Sequence, residues 1–237
     1  MTDREVMLEN IRRVARRLGP LREKVVFLGG SVVALLITDP GAPDVRPTKD
    51  VDVAYPAASF SESASLDKAL RGLDFQHCKD PGAPTCRWVV DDLLVDVMAV
   101  GKSMNAYRDR WSLAAIEHSE SLEVEEGIRI RHVTAPYFIA IKLETFEDRG
   151  DEDYGGSRDM EDILQIIDSR PELIGELRAS ASDLCLYVSE KLGALLENDR
   201  FLDSLSSHLL PDTASQAREP LLRSRIAQIA SLHMNEP

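Results

Sequence analysis

Two carboxylates, Asp50 and Asp52, stand two residues apart in the run Thr48-Lys49-Asp50-Val51-Asp52-Val53. Alternation along an extended strand sends residues i and i+2 to one face, so both side chains project toward the same point. Like charges so placed repel unless a cation lies between them. Mg²⁺, a hard ion held by one or two carboxylates together with substrate phosphates, suits that position. A third carboxylate, Asp96, lies in Leu93-Leu94-Val95-Asp96-Val97-Met98, an apolar run in which an ionised group is costly without compensation. A metal shared with the first pair supplies the compensation, giving three carboxylates around two Mg²⁺ ions about 3.5–4 Å apart. One ion would lower the pKa of an attacking hydroxyl and the other would neutralise a triphosphate. Asp96 is then the base if proton removal is assisted.

Gly29-Gly30-Ser31 precedes this pair, between an apolar strand pattern and the run Val32 to Ile37. Glycine lets a backbone approach phosphate closely, and free N–H groups beside the Ser31 hydroxyl favour an anion. A tight turn with Ser31 as an N-cap accounts for the same three residues without a ligand. Lys142 lies on a helical stripe with Phe138 and Phe146 at i−4 and i+4 and Ile139 at i−3, so its ammonium either snorkels out or is aimed at something negative. Arg158, Asp159 and Asp162 open the next helix after Ser157, where capping and dipole complementarity explain the acids as well as a functional role does.

The elements that position these residues follow from periodicity. Residues 3 to 18 read as an amphipathic helix stopped at Gly19-Pro20, followed by a buried strand at Lys24 to Leu28 and a short core helix at Val32 to Ile37. A Pro- and Gly-rich loop over Asp39 to Pro47 leads to a strand at Asp50 to Tyr55, then a helix at Ser63 to Gly72. Thr85 to Val90 and Leu93 to Val100 form a hairpin joined at Asp91-Asp92, and further strands fall at Ser121 to Val124 and Ile128 to Val133. Beyond Pro136 the pattern is helical, over Tyr137 to Glu147, Arg158 to Ser169, Pro171 to Leu196 and Leu221 to Leu232. The expected organisation is an α/β core over residues 1–133 and a helical domain over 134–237, with an acidic, glycine-containing connection at Glu147 to Gly156 that reads as mobile.

Composition narrows the function classes. At 237 residues with 43% hydrophobic content the chain can build a proper core. No apolar run approaches the roughly 20 residues that span a bilayer, and the N-terminus opens directly into charged sequence, so a cytoplasmic protein with no membrane partner is expected. Cys78, Cys86 and Cys185 have no Cys-x-x-Cys spacing, and the histidines, His77, His118, His132, His208 and His233, form no helical metal motif. A net charge of −13 argues against a general nucleic-acid coat, though Arg12, Arg13, Arg16 and Arg17 on the first helix offer a local basic patch or a solvated face.

Taken together, Gly29-Gly30-Ser31, Arg46-Pro47-Thr48-Lys49-Asp50-Val51-Asp52, Asp96, Lys142 and Arg158-Asp159 resemble the DNA polymerase β-like nucleotidyltransferase superfamily. Within it the likeness is to the AbiEii/AbiGii group, toxin nucleotidyltransferases of bacterial abortive-infection and toxin–antitoxin systems. The resemblance implies an α+β fold, a mixed nucleotidyltransferase sheet flanked by helices and followed by a C-terminal helical domain. It also implies an NTP bound with Mg²⁺ and transfer of a nucleoside monophosphate with release of pyrophosphate. Asp50, Asp52 and Asp96 would hold the metals, with Lys142 and Asp159 completing the catalytic set. Gly29, Gly30, Ser31, Thr48, Lys142 and Arg158 would contact the nucleotide, with Ser31 on the β- and γ-phosphates and Asp159 orienting the nucleotide or Lys142. The loop from Asp39 to Pro47 departs from the pattern by lengthening the interval between Ser31 and Asp50. The expected acceptor is tRNA or another macromolecule, reached through the basic patch, with a cognate antitoxin as partner. The alternatives are transfer to a small cationic molecule such as an antibiotic, which the acidic balance would attract, and a nucleotide-binding module without turnover.

Overall fold

A computed structural model of the chain describes residues 1–57, 59–101, 110–149 and 152–232. Residues 150 and 151 of the acidic connection, and His233, lie outside the described residues. The chain divides into two compact units, Met1–Leu35 with Asp44–Thr134, and Leu36–Pro43 with Ala135–Pro237.

The first unit begins with α1 (Asp3–Leu18), started by a capping box in which Thr2 and Glu5 satisfy each other's backbone N–H groups. The helix buries Met7, Ile11, Val14, Ala15 and Leu18 and ends at Gly19, whose φ of 52° meets the left-handed requirement of a helix stop. Strand β1 (Val26–Leu28) is shorter than the expected Lys24 to Leu28, because Lys24 closes a 3₁₀ turn over Gly19–Glu23. The expected core helix after Ser31 is a 3₁₀ turn over Gly30–Val32 and a single turn, α2 (Val33–Leu36), a length that suits a β-branched sequence. β2 (Asp50–Pro56), α3 (Phe60–Gly72), β3 (Gln76–His77), β4 (Arg87–Val90) and β5 (Leu93–Val100) follow. A short helix α4 (Arg110–Glu117), whose sequence sign is the apolar spacing of Trp111, Ala115 and Ile116, precedes β6 (Glu120–Glu125) and β7 (Ile128–His132).

The strands form one seven-stranded mixed sheet in the order β3-β4-β5-β2-β1-β7-β6. β2 lies antiparallel to β1 and parallel to β5, with Asp52 in register with Leu28 on one side and Asp96 on the other. Alternation on β2 buries Val51 and Val53 completely or nearly so, and leaves Asp50 and Asp52 half-buried on the opposite face. The arginines of α1 are tied to acids of the same unit. Arg12 reaches Glu9 and the Val124 carbonyl, Arg13 pairs with Asp92, Arg16 with Glu9 and Glu125, and Arg17 with Asp74 and Asp91. The arginine row thus carries ion pairs both within α1, through Glu9, and to other elements of the unit.

The second unit is helical: α5 (Ala135–Arg149), α6 (Arg158–Ser169), α7 (Leu173–Ala179), α8 (Ser182–Leu196), α9 (Asp199–Ser204), α10 (Thr213–Gln216) and α11 (Glu219–Ala230). The continuous helix expected from Pro171 to Leu196 breaks after Ala179. Ser180 is extended there and its Oγ donates back to the Leu177 carbonyl, the local competition by which serine ends helices. Leu36–Pro43 groups with this unit because Thr38 and Asp39 donate backbone bonds to Ser169 O while Arg218 binds Asp39. No helix among the described residues is long and apolar enough to cross a membrane.

Candidate active site

The C-terminal end of β1 runs into Gly29, whose φ of 72° is a conformation that L side chains avoid. A Cβ at this position would lie 2.6 Å from Asp52 Cβ and closer still to its carboxylate. Gly29 is thus required twice over, by its backbone conformation and by the close approach of Asp52. Ser31, on the following 3₁₀ turn, is buried, and its Oγ has no hydrogen-bond partner among the described residues. A buried hydroxyl without a partner costs about 1–3 kcal/mol, and an anion held at this turn would offset that cost.

Asp50 and Asp52 share one face of β2, and Asp96 stands beside Asp52 as its register partner on the parallel strand β5. The donors are all carboxylate oxygens, the set that hard divalent cations take. Among the described residues, no three His, Cys, Asp or Glu side chains are grouped closely enough to hold a metal ion as they stand. The cation between two of these aspartates is Arg87. Its Nη2 donates to Asp50 Oδ2 at 2.6 Å and to Asp96 Oδ2 at 2.7 Å, while its Nε donates to Asp96 Oδ1 at 2.8 Å. These charge-assisted bonds push the guanidinium pKa, already far above neutral, further up, with the Asp96 bonds the largest cause. Each oxygen of Asp96 accepts a hydrogen bond from Arg87.

Arg87 is absent from the expected site residues, although the hairpin register could have found it. Counting outward from the Asp91-Asp92 turn of the expected hairpin pairs Val90 with Leu93, Val89 with Leu94, Trp88 with Val95 and Arg87 with Asp96, which is the register of β4 and β5. Cys86, the neighbouring residue, is a free thiol whose pKa is pushed up by burial first and by the charge of Asp96 second. Thr48 stands at the start of β2, where its hydroxyl donates to the Asp50 carbonyl at 3.2 Å.

The sheet places these groups within a known kind of scaffold. An antigenic nucleotidyltransferase-like protein from Paracoccidioides brasiliensis superposes with a TM-score of 0.50 at 19% identity, over 84% of this chain and 90% of that one. The fold is nucleotidyltransferase-like. A candidate nucleotidyltransferase from H. pylori matches over 98% of this chain and 93% of that one, at 13% identity and a TM-score of 0.46. No protein-family model matches the sequence, and neither does any curated protein.

Lys142, Arg158 and Asp159 belong to the helical unit. Lys142 on α5 is bound by the two acids at the start of α6, with Nζ 3.0 Å from Asp159 Oδ1 and 2.7 Å from Asp162 Oδ2. Arg149 reaches the other oxygen of Asp159 at 2.6 Å. Burial pulls the Lys142 ammonium pKa down, but the charges of Asp162 and Asp159 outweigh it and hold the net value above the ordinary one. Asp159 is thus hydrogen-bonded to Lys142, while Arg158 is exposed at the first position of α6 behind the Ser157 cap.

Proposed function

We propose that the protein is a nucleotidyltransferase that moves a nucleoside monophosphate from an NTP to an acceptor. The observation that carries this reading is the placement of Asp50, Asp52 and Asp96 on adjacent parallel strands of a nucleotidyltransferase-like sheet, with Asp52 directly against the Gly29 turn. Asp50, Asp52 and Asp96 would hold Mg²⁺, which supplies activation of the attacking hydroxyl and neutralisation of the triphosphate when bound. The Gly29-Gly30-Ser31 turn would receive the phosphates, with the Ser31 hydroxyl as a donor in need of an acceptor. Asp96, released from Arg87, would accept the acceptor's proton. The resemblance to toxin nucleotidyltransferases supports tRNA or another macromolecule as acceptor and an antitoxin as partner.

A second reading, transfer to a small cationic molecule, is favoured by one observation. The α1 arginines that would attract RNA are neutralised by Glu9, Asp74, Asp91, Asp92 and Glu125 on a chain of net charge −13. Incubation with labelled NTPs, Mg²⁺ and total cellular RNA, alongside a panel of cationic antibiotics, separates the two acceptors. The expected result is label on RNA, lost by at least about 100-fold in the Asp50→Ala/Asp52→Ala protein, since metal-borne charge stabilisation contributes several kcal/mol at about 1.36 kcal/mol per decade. Equal labelling by wild type and the double variant refutes the carboxylate mechanism. Pyrophosphate release dependent on an antibiotic selects the second reading.

A further inference from the structure

The Asp50 and Asp96 pair already holds a cation, and it is a side chain of the protein. Nη2 of Arg87 stands 2.6 and 2.7 Å from one oxygen of each carboxylate, the place a bridging ion would take. A Mg²⁺ ion held by the same two carboxylates would meet a fixed positive charge already seated between them, so the two cations compete for that position. Arg87 cannot yield by losing its proton, because guanidinium stays charged at any physiological pH.

A clasp serving only the β4–β5 hairpin would end at Asp96, the register partner of Arg87. This one reaches past Asp96 to Asp50 on the next strand, the residue expected to hold metal. Its side chain keeps 23% of its surface exposed, which leaves it a solvent side to move into.

We infer that Arg87 is a resident counter-ion that a divalent metal must displace, so that loading of the carboxylate site is an exchange of one cation for another. The inference rests on the metal-binding part of the reading above. The exchange keeps metal affinity low in the protein without nucleotide, and it releases both oxygens of Asp96 at the moment the metal arrives. Arg87 is in this sense a positioning residue, setting when Asp50 and Asp96 become available.

Mn²⁺ is the probe, its binding to the full chain followed by electron paramagnetic resonance without nucleotide. Arg87→Gln should bind Mn²⁺ at least about tenfold more tightly than wild type, a difference of about 1.4 kcal/mol. Adding Asp50→Asn to that variant should abolish the gain. Equal Mn²⁺ affinity in wild type and Arg87→Gln overturns the inference and leaves the metal reading standing, whereas binding by neither protein overturns both. A measurement on wild type alone keeps the test open if the variant fails to fold. The Arg87 Nε–H resonance should shift and exchange faster with solvent as Mg²⁺ saturates the site, and a resonance unmoved at saturation overturns the inference.

Discussion

Replacing Lys142 with methionine should unfold the helical unit far more readily than removal of a surface lysine would. Only 12% of the Lys142 side chain is exposed, and the Asp159 and Asp162 side chains facing it are exposed by 4% and 5%. Truncating one partner of a buried ion cluster leaves its opposite charges uncompensated, at a cost of about 3–5 kcal/mol. Arg149 softens the loss at Asp159, which places the expected value toward the lower end. At about 2–4 °C per kcal/mol for a chain of this size, the midpoint should fall by about 6–12 °C. Circular dichroism during heating and urea titration measures both quantities, and Asp159→Asn/Asp162→Asn added to Lys142→Met should recover part of the loss. The pH dependence has a definite sign. The folded pKa of Lys142 lies above its ordinary value, so its contribution is fully present below the unfolded pKa and is lost as pH rises through the folded one. The difference between wild type and variant should therefore persist through neutral pH and, on the alkaline side, close in strong alkali. A destabilisation below about 1 kcal/mol at pH 7 would refute the structural account and leave Lys142 as a dispensable ligand.

Two further outcomes test other parts of the structure. Gly29→Ala should cost at least about 1–2 kcal/mol from the positive φ alone, with the added Cβ pressing on Asp52, and an unchanged urea midpoint would show that the turn is not held as described. Asp44 accepts backbone bonds from Asp3 and Arg4 at the start of α1 and from Val45, which lower its pKa against the opposing effect of burial. Its contribution is present above the unfolded pKa and lost as pH falls through the folded one, so Asp44→Ala should be less stable than wild type at pH 7 and converge with it in acid. A stability gap that does not narrow in acid would refute the assignment.

Much of the scaffold was readable along the chain. The capped helix at Asp3–Leu18, the strand carrying Asp50 and Asp52 on one face, and the hairpin around Asp91-Asp92 all depend on interactions within a few residues. The readings that shifted were those where neighbours compete. Ser180 broke an apolar pattern that looked continuous, and the β-branched run after Ser31 formed only one helical turn. The arginine row of α1 fits either a solvated face or a binding patch by periodicity alone, and its acids come from Asp74, Asp91, Asp92 and Glu125, far along the chain.

That Asp50 and Asp52 face one way could be read along the chain, because alternation is a property of a single strand, and the hairpin turn at Asp91-Asp92 held an unread sign of Arg87 opposite Asp96, because a two-residue turn sets its own register. Packing of the sheet set β5 parallel to β2 with Asp96 beside Asp52, and brought Arg87 across to Asp50, a partner 37 residues away. Packing of the helices likewise gave Lys142 its pair of buried acids on the following helix. Charge drives those choices, but charge acts through space, and the distances through which it acts exist only once the strands and helices have packed.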